Sequence, residues 1–554
     1  MIKSLLIHLV TFSLISFHSF AQSNPRYLVL YKDKANSPFS TDKPSDFLSE
    51  RAVMRRTRQN IALTTRDFPV NPAYVTAVKQ TGATIVFSSR WFNGSVVEAS
   101  DAQLEAIKKL PFYKGIELNL PVANLNSKSE GVERINGADR KLETEEDLDY
   151  GSMNAQLALM EVAQHHQKGY HGENMLIAVI DNGFNSGDKV GFLKPLRDEN
   201  RIVDTYDFMA RESNVYNDGS HGLNVLSTMA AYLPGTMIGA AFKASYALYR
   251  SENDYIESPY EEITWLMAAE RADSIGADVI NTSLGYSYFD NEFDRPEYNY
   301  TYADMDGKTT MISRAARFAV RTGMLVVCAA GNEGNDAWHY ITAPADVDSV
   351  LTVGATNYER SYVPLSSVGP NAAGQQKPDV AAVGQQAIAG NTAGNVSGLN
   401  GTSLASPQIA GLCAILWQAY PQLTSQDIMK AVKMSGHQAT APDNLLGYGV
   451  PDLVKAAEYI DSNFKPLGTE SETIRQIVIA PNPAQKELVL TIPAALVGKK
   501  ADLALYGVNG ASLGNTESQL AASQVISTAH LSSGLYFLRI RVNNQERALK
   551  FIKQ

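Results

Sequence analysis

Ser403 stands in "NGTSLASPQIAG", residues 400–411, between a Gly-Thr pair and the apolar run "LCAILWQAY". A serine hydroxyl is a poor nucleophile until a base takes its proton, so its chemistry depends on partners elsewhere in the chain. "LIAVIDNGF" ends an apolar run on Asp181 beside an Asn-Gly turn, and "NDGSHGLNVLSTMAAY" sets His221 between a polar turn and a helix of small and apolar residues. "MLVVCAAGNEGN" ends a third run on Asn332, flanked by Gly331. A carboxylate can orient an imidazole, an imidazole can take a serine proton, and a fixed amide can donate to an oxyanion. Acyl transfer needs all of these. Taken singly, each residue has a plainer role: Asp181 caps its turn, His221 opens a helix, Gly-Asn signals a turn, and Thr402 or Ser403 is an N-cap.

Pro407 sharpens the reading of Ser403. It has no N–H, so the Ser403 carbonyl loses the donor that an unbroken helix would supply four residues later. The first turn must distort where the hydroxyl is presented. A helix N-terminus also offers free N–H groups and the positive end of the helix dipole, both of which favour developing negative charge.

The elements around these residues predict an α/β fold. "MLIAVI", "ASYALY", "DVINTSL", "MLVVCAA" and "SVLTVGA" are short apolar strands, separated by helical stretches such as "YEEITWLMAAERADSI" and "TMISRAARFAVRTG". Continuously apolar strands alternating with helices imply a parallel sheet with helices on both faces. Functional groups collect at the carboxyl ends of such strands.

The order Asp, His, Ser and the strings "AVIDNGF", "SHGLNV", "AAGNEG" and "GTSLASP" resemble the subtilisin-like serine proteases over roughly residues 150–460. The resemblance implies that Ser403 attacks the scissile carbonyl, that His221 is general base and then acid, and that Asp181 orients it. It gives the oxyanion to the Asn332 side chain and the Ser403 backbone N–H. "NTSLG", residues 281–285, resembles the strand on which a substrate peptide pairs. Ser283, Leu284 and Gly285, with Ala329, Ala330 and Gly331, would then flank the main substrate pocket. Asn224 departs from the pattern, standing where the family usually has a second histidine, at a position that moves no proton. The implied function is a secreted serine endopeptidase made as a self-processing precursor, acting on protein or peptide substrates. The rival is an inactive subtilase scaffold that serves as a surface binding protein, and the intact Asp181, His221, Asn332 and Ser403 weigh against it. "GASLG", residues 510–514, matches an esterase elbow but lies in a hairpin context.

The flanks suggest a longer architecture. Lys3, the apolar "LLIHLVTFSLISF" and Ser19-Phe20-Ala21 read as a secretory signal over residues 1–21, cleaved after Ala21, with no transmembrane anchor. Residues 22–150 read as a small α+β unit and an acidic linker. "LSERAVMRRTRQNI" and "SSRWFNGSVVEAS" resemble pro-regions of Bacteroidetes subtilases, which implies a transient inhibitor cleaved between Asn124 and Gly151. A permanent binding domain is the alternative. The catalytic domain spans 151–460, a linker spans 461–475, and 476–554 alternates as a small all-β sandwich. There "APNPAQKELVLTI", "LSSGLYFLRI" and "KFIKQ" resemble the sorting domains read by the type IX secretion machinery, although Ala480 replaces a commoner aromatic residue. A carbohydrate-binding or adhesive sandwich is the alternative there. The resemblance places the protein outside the cell or on its outer surface.

A net charge of −10 over 554 residues argues against nucleic acid or anionic membranes as partners. Cys328 and Cys413 lie in apolar runs, which favours buried free thiols over a bridge. "HHQKGYH", residues 165–171, reads as a solvated helix end rather than a metal site. The acidic, tyrosine-rich stretch at residues 288–309 reads as a solvated loop, with a calcium site or a substrate-facing insertion as alternatives. No cofactor is expected, and calcium has no assignable ligands.

Overall fold

A computed structural model describes residues 24–123, 148–464, 472–508, 511–542 and 545–554. The expected signal segment and most of the expected processing segment lie outside the described residues. Contacts divide the chain into two units, residues 1–459 and 460–554.

The first unit opens with an antiparallel sheet of β1 (Arg26–Tyr31), β2 (Thr84–Ser89), β3 (Gly94–Glu98) and β4 (Tyr113–Ile116), in the order β2-β3-β1-β4. Three helices accompany it: α1 (Glu50–Arg58), α2 (Pro72–Gln80) and α3 (Asp101–Lys108). Ser49 caps α1 by accepting from the Ala52 N–H, and Ser100 with Gln103 forms a capping box on α3.

Seven parallel strands form the main sheet. They are β5 (Leu176–Asp181), β6 (Ile202–Asp207), β9 (Ser245–Arg250), β10 (Val279–Thr282), β11 (Leu325–Ala329), β12 (Leu351–Thr356) and β13 (Val380–Val383). Their order is β13-β12-β11-β10-β5-β9-β6. Two small hairpins, β7 (Tyr232–Leu233) with β8 (Met237–Ile238) and β14 (Ala387–Gly390) with β15 (Val396–Leu399), lie outside it. After the short helices α4 (Asn154–Ala158), α5 (Val162–His166) and α6 (Lys194–Asp198) come α7 (His221–Ala230), α8 (Pro259–Ile275), α9 (Met311–Arg321) and α10 (Thr402–Ala419). Leu176, Ala178 and Ile180 of β5 share one core with Trp265 and Leu266 of α8 and Ile312 and Ala316 of α9. The alternate residues Ile177 and Val179 are just as buried and face the opposite side. There α7 packs on β5, and α10 packs on α7 and on β10 to β13. The expected sheet with helices on both faces is therefore observed.

The amino-terminal sheet and helices dock on α8 through buried charge. Arg55, Arg56 and Arg90 converge on Asp273, which is fully buried; the Arg56 contact is 2.8 Å. Glu270 accepts from Ser89 Oγ at 2.5 Å and from the Arg90 and Trp91 N–H groups at 3.0 and 3.1 Å. Burial alone would raise the Asp273 pKa, but the guanidiniums of Arg90, Arg55 and Arg56 hold it at about 2.

Two local expectations fail. His165 and His166 are buried rather than solvated: His166 Nδ1 meets Tyr150 Oη at 2.8 Å and its Nε2 meets the Ala240 carbonyl at 2.9 Å. The 288–309 segment is anchored, because Phe289, Phe293, Tyr298 and Met305 enter the core. Tyr298 Oη donates to the Pro121 carbonyl at 2.7 Å, and Tyr300 Oη to Glu262 at 2.8 Å. Tyrosine rings there supply apolar area with a hydroxyl that finds a partner.

The second unit contains two antiparallel sheets. One has β16 (Val478–Ala480), β17 (Glu487–Thr491) and β20 (Ser523–Ser527); the other has β19 (Ser512–Gln519), β18 (Lys500–Gly507), β21 (Gly534–Val542) and β22 (Gln545–Lys553) in that order. Leu488, Leu490, Leu503, Ile540 and Phe551 share their core. No helix among the described residues is long and apolar enough to cross a membrane.

Candidate active site

Asp181 is the last residue of β5, a strand buried along its whole length. Its Oδ1 accepts from its neighbour's Asn182 N–H at 2.9 Å and lies 2.8 Å from His221 Nδ1. The carboxylate is fully buried, and Oδ2 has no hydrogen-bond partner among the described residues. His221 is the first residue of α7, and the preceding Ser220 gives no side-chain cap. Asn182 supplies the cap across the turn: its Oδ1 accepts from the His221 and Gly222 N–H groups at 3.2 and 3.3 Å. A Cβ on Gly222 would stand 2.4 Å from the Gly183 carbonyl oxygen, so this close passage of α7 over the β5 turn needs glycine.

Two influences oppose each other at His221, whose side chain is one-third exposed. Burial pushes its pKa down. The Asp181 charge and hydrogen bond, followed by the charges of Glu252 and Asp254, win and raise it to about 9. Glu252 follows β9, whose last residue Arg250 pairs with Asp181 across the sheet. Burial, with the negative charge of Asp181, raises the Glu252 carboxyl to about 8.

Ser403 lies in the first turn of α10, where its backbone N–H has no acceptor within the helix. The residue is 7% exposed. Gly401 precedes the turn at φ 148°, and a Cβ there would stand 2.9 Å from Ser403 Oγ. α7 and α10 pack together, each carrying its residue in its first turn. Among the described residues no hydrogen bond joins Ser403 Oγ to His221. Such bonds are often long before substrate arrives.

Asn332 is exposed just beyond β11. Its Oδ1 accepts from the Thr402 N–H at 2.9 Å and lies 3.1 Å from Thr402 Oγ1. With the oxygen held against α10, the amide's NH₂ end is the one left to face a ligand. The sequence offered Thr402 only as an N-cap, but Gly401 takes that position and Thr402 lies inside the first turn; its place beside Ser403 was the available signal for its hold on Asn332.

The expected substrate-flanking residues leave neighbouring strands. Ser283, Leu284 and Gly285 follow β10, and Ala329 ends β11 with Ala330 and Gly331 just beyond it, Thr282 and Cys328 being in register. Leu284, Ala329 and Ala330 are buried, whereas Gly285 and Gly331 are half-buried. Beyond them, the Tyr286 main chain pairs with Ala343 at 2.9 and 3.2 Å. Asn224 donates its Nδ2 to the Gly390 carbonyl at 2.7 Å, tying α7 to β14.

The model of the Subtilase family matches residues 172–449, half of the chain. The Peptidase S8 propeptide domain, Bacteroidota, matches residues 26–134, and the Secretion system C-terminal sorting domain matches residues 478–554. Subtilisin of Bacillus pumilus is 30% identical over 270 residues, which cover 48% of this chain and 84% of that protein. Subtilisin DY of Bacillus licheniformis is 28% identical, covering 47% and 83%. Subtilisin NAT of Bacillus subtilis subsp. natto is 29% identical, covering 51% of this chain but only 65% of that protein. Among solved structures, MycP1 of Mycobacterium smegmatis is 21% identical with a TM-score of 0.42, covering 55% of this chain and 85% of that one.

Proposed function

We propose, from the premise that this chain belongs to the subtilase family of serine endopeptidases, that it hydrolyses peptide bonds through an acyl-enzyme on Ser403. It carries the family's propeptide and a secretion-sorting tail, and the tail makes it a secreted or cell-surface protein. The observation that carries the proposed chemistry is the 2.8 Å contact between buried Asp181 and His221 Nδ1, which leaves Nε2 to take a proton.

In this reading Ser403 Oγ attacks the substrate carbonyl while His221 Nε2 takes its proton. The oxyanion is met by Asn332 Nδ2 and the Ser403 N–H, the two donors supported by the geometry above. Protonated His221 then gives the proton to the departing amine, and water repeats the sequence on the acyl-enzyme. Asp181 stays ionised and stabilises the imidazolium. Ser283 to Gly285 pair with the substrate main chain, and Ala329 to Gly331 wall its main pocket. No cofactor is required. Residues 22–150 serve as a transient inhibitor and linker, 151–460 as the catalytic domain, and 476–554, after a linker over 461–475, as the segment read by the type IX machinery.

A fluorophosphonate probe tests this. The wild-type protein is expected to be labelled once, on Ser403, and Ser403→Ala to abolish both labelling and removal of the amino-terminal unit. Labelling that survives Ser403→Ala, or its absence from correctly processed wild-type protein, refutes the proposal.

A further inference from the structure

Pro407 cannot donate to the Ser403 carbonyl, yet that carbonyl is not orphaned. Ser283 Oγ, from the end of β10, donates to it at 2.9 Å. The Ser283 hydroxyl is itself fixed: Asn281 Nδ2 donates to Ser283 Oγ at 3.1 Å. Asn281 is fixed in turn, because Ser406 Oγ donates to its Oδ1 at 2.9 Å. Ser406 and Asn281 are fully buried and Ser283 nearly so, at 8% exposure. The direction of each bond follows from its partners. The carbonyl can only accept and the amide nitrogen can only donate, so the Ser283 proton must point at Ser403.

The relay therefore runs from Ser406, one residue before the proline, across to β10 and back to Ser403 in the first turn of α10. It joins the turn that presents the Ser403 hydroxyl to the strand end on which substrate is expected to pair. We propose that the Ser283 side chain is a positioning residue: it replaces the helical donor that Pro407 lacks, and so holds Ser403 in register with the substrate strand. This rests on the serine-protease reading above and adds to it. There Ser283 served only through its main chain, flanking the pocket; here its hydroxyl acts on the nucleophile. Misplacing a reacting atom by about 1 Å can cost about 10²-fold in rate.

The test is a double-mutant cycle on the matured full-length protein, with active sites titrated by the fluorophosphonate. Ser283→Ala is expected to lower kcat by roughly 10- to 100-fold, within the range set by such displacement. KM should change little, and the probe's labelling rate should fall in parallel. In the Pro407→Ala background a backbone N–H becomes available to the Ser403 carbonyl, so removing the Ser283 hydroxyl should then cost much less. A rise in KM with kcat intact would mean a substrate contact and overturn the inference. A lowered Tm with unchanged kcat per titrated site would mean a purely structural bond and overturn it too. So would equal losses in both backgrounds. If Ser283→Ala fails to mature, Asn281→Asp, which replaces the amide donor to Ser283, is measured in the same way; unchanged kcat in it overturns the inference. Wild-type protein that takes no label on Ser403 would instead sink the protease reading itself.

Discussion

Thr402 holds the carbonyl end of the Asn332 side chain from two atoms, its N–H at 2.9 Å and its hydroxyl at 3.1 Å. The hydroxyl also accepts from the Gly331 N–H at 3.3 Å, so the turn after β11 and the first turn of α10 are fastened together there. Thr402→Val keeps the backbone donor and the shape but loses the hydroxyl. Losing one neutral hydrogen bond of this kind is worth about 1 kcal/mol, so kcat should fall about tenfold or less. Asn332→Ala should cost about 10²–10³ in kcat, the range for an oxyanion donor. Because Thr402 acts through Asn332, the double variant should be no slower than Asn332→Ala alone. Steady-state kinetics of the three variants checks this, and additive losses would show that Thr402 acts independently.

The pH profile should report the acidic surroundings of His221. A general base works only when neutral, so its pKa of about 9 sets the low-pH limb of kcat/KM. Glu252, itself raised to about 8, is ionised where His221 titrates, so Glu252→Gln removes a negative charge there and the limb should move to lower pH. The same shift is linked to stability. A histidine raised above its unfolded value of 6.5 contributes stability that is complete below that pH and disappears as pH rises through about 9. Partial exposure of the ring keeps that contribution small. Profiles of wild type and Glu252→Gln, recorded side by side, test the direction; a limb that stays put or moves up contradicts it.

Much of this site is legible from local sequence because each expected residue sits at the end of an apolar run. Asp181 ends a buried strand and Asn332 follows one, while His221 and Ser403 lie in the first turns of helices, and an apolar run marks its own terminus. The missing donor at Pro407 is also a local inference. What answers it is not: Ser283 lies 120 residues upstream, and only strand order brings it to α10. Glu252 is invisible for the same reason, since its closeness to His221 follows from β9 lying beside β5. The α1 arginines mark a basic helix in the sequence, yet Arg55 and Arg56 are buried against Asp273, more than 200 positions away. Spacing along a helix shows which side chains share a face, not what covers that face.

That buried cluster makes an asymmetric prediction. Asp273→Asn leaves three converging guanidiniums of which only Arg56 keeps a paired carboxylate, Asp67 at 3.0 Å, whereas Arg55→Met leaves Asp273 with Arg56 and Arg90 still in place. Breaking a buried pair by removing one partner costs about 3–5 kcal/mol, and Asp273→Asn should fall at or above that range with Arg55→Met well below it. Thermal unfolding of both variants in a Ser403→Ala background, where the proposed self-cleavage is blocked, measures the difference. The Asp273 carboxyl, held at about 2 against an unfolded value of 3.8, contributes stability above the latter value that is lost as pH falls through the former. The amino-terminal unit should accordingly loosen from α8 in strong acid and hold at neutral pH. Equal destabilisation by the two substitutions would show that Asp273 is not the hub.

Cys328 on β11 and Cys413 within α10 are both fully buried free thiols. Burial raises each thiol pKa far above its ordinary value, so almost no thiolate is present at neutral pH. The thiolate is the reactive form, and here it is both scarce and shielded by packed side chains. The native protein should therefore ignore iodoacetamide or a disulfide reagent over hours, while the same protein in denaturant should yield two equivalents of thiol. A reductant should leave Tm unchanged, because no bridge contributes to the fold. Mass spectrometry after alkylation with and without denaturant checks both statements. One equivalent modified in the native state would mean that a segment of β11 or α10 opens locally, next to Asn332 or behind Ser403, and that the frame of the site is softer than its burial implies.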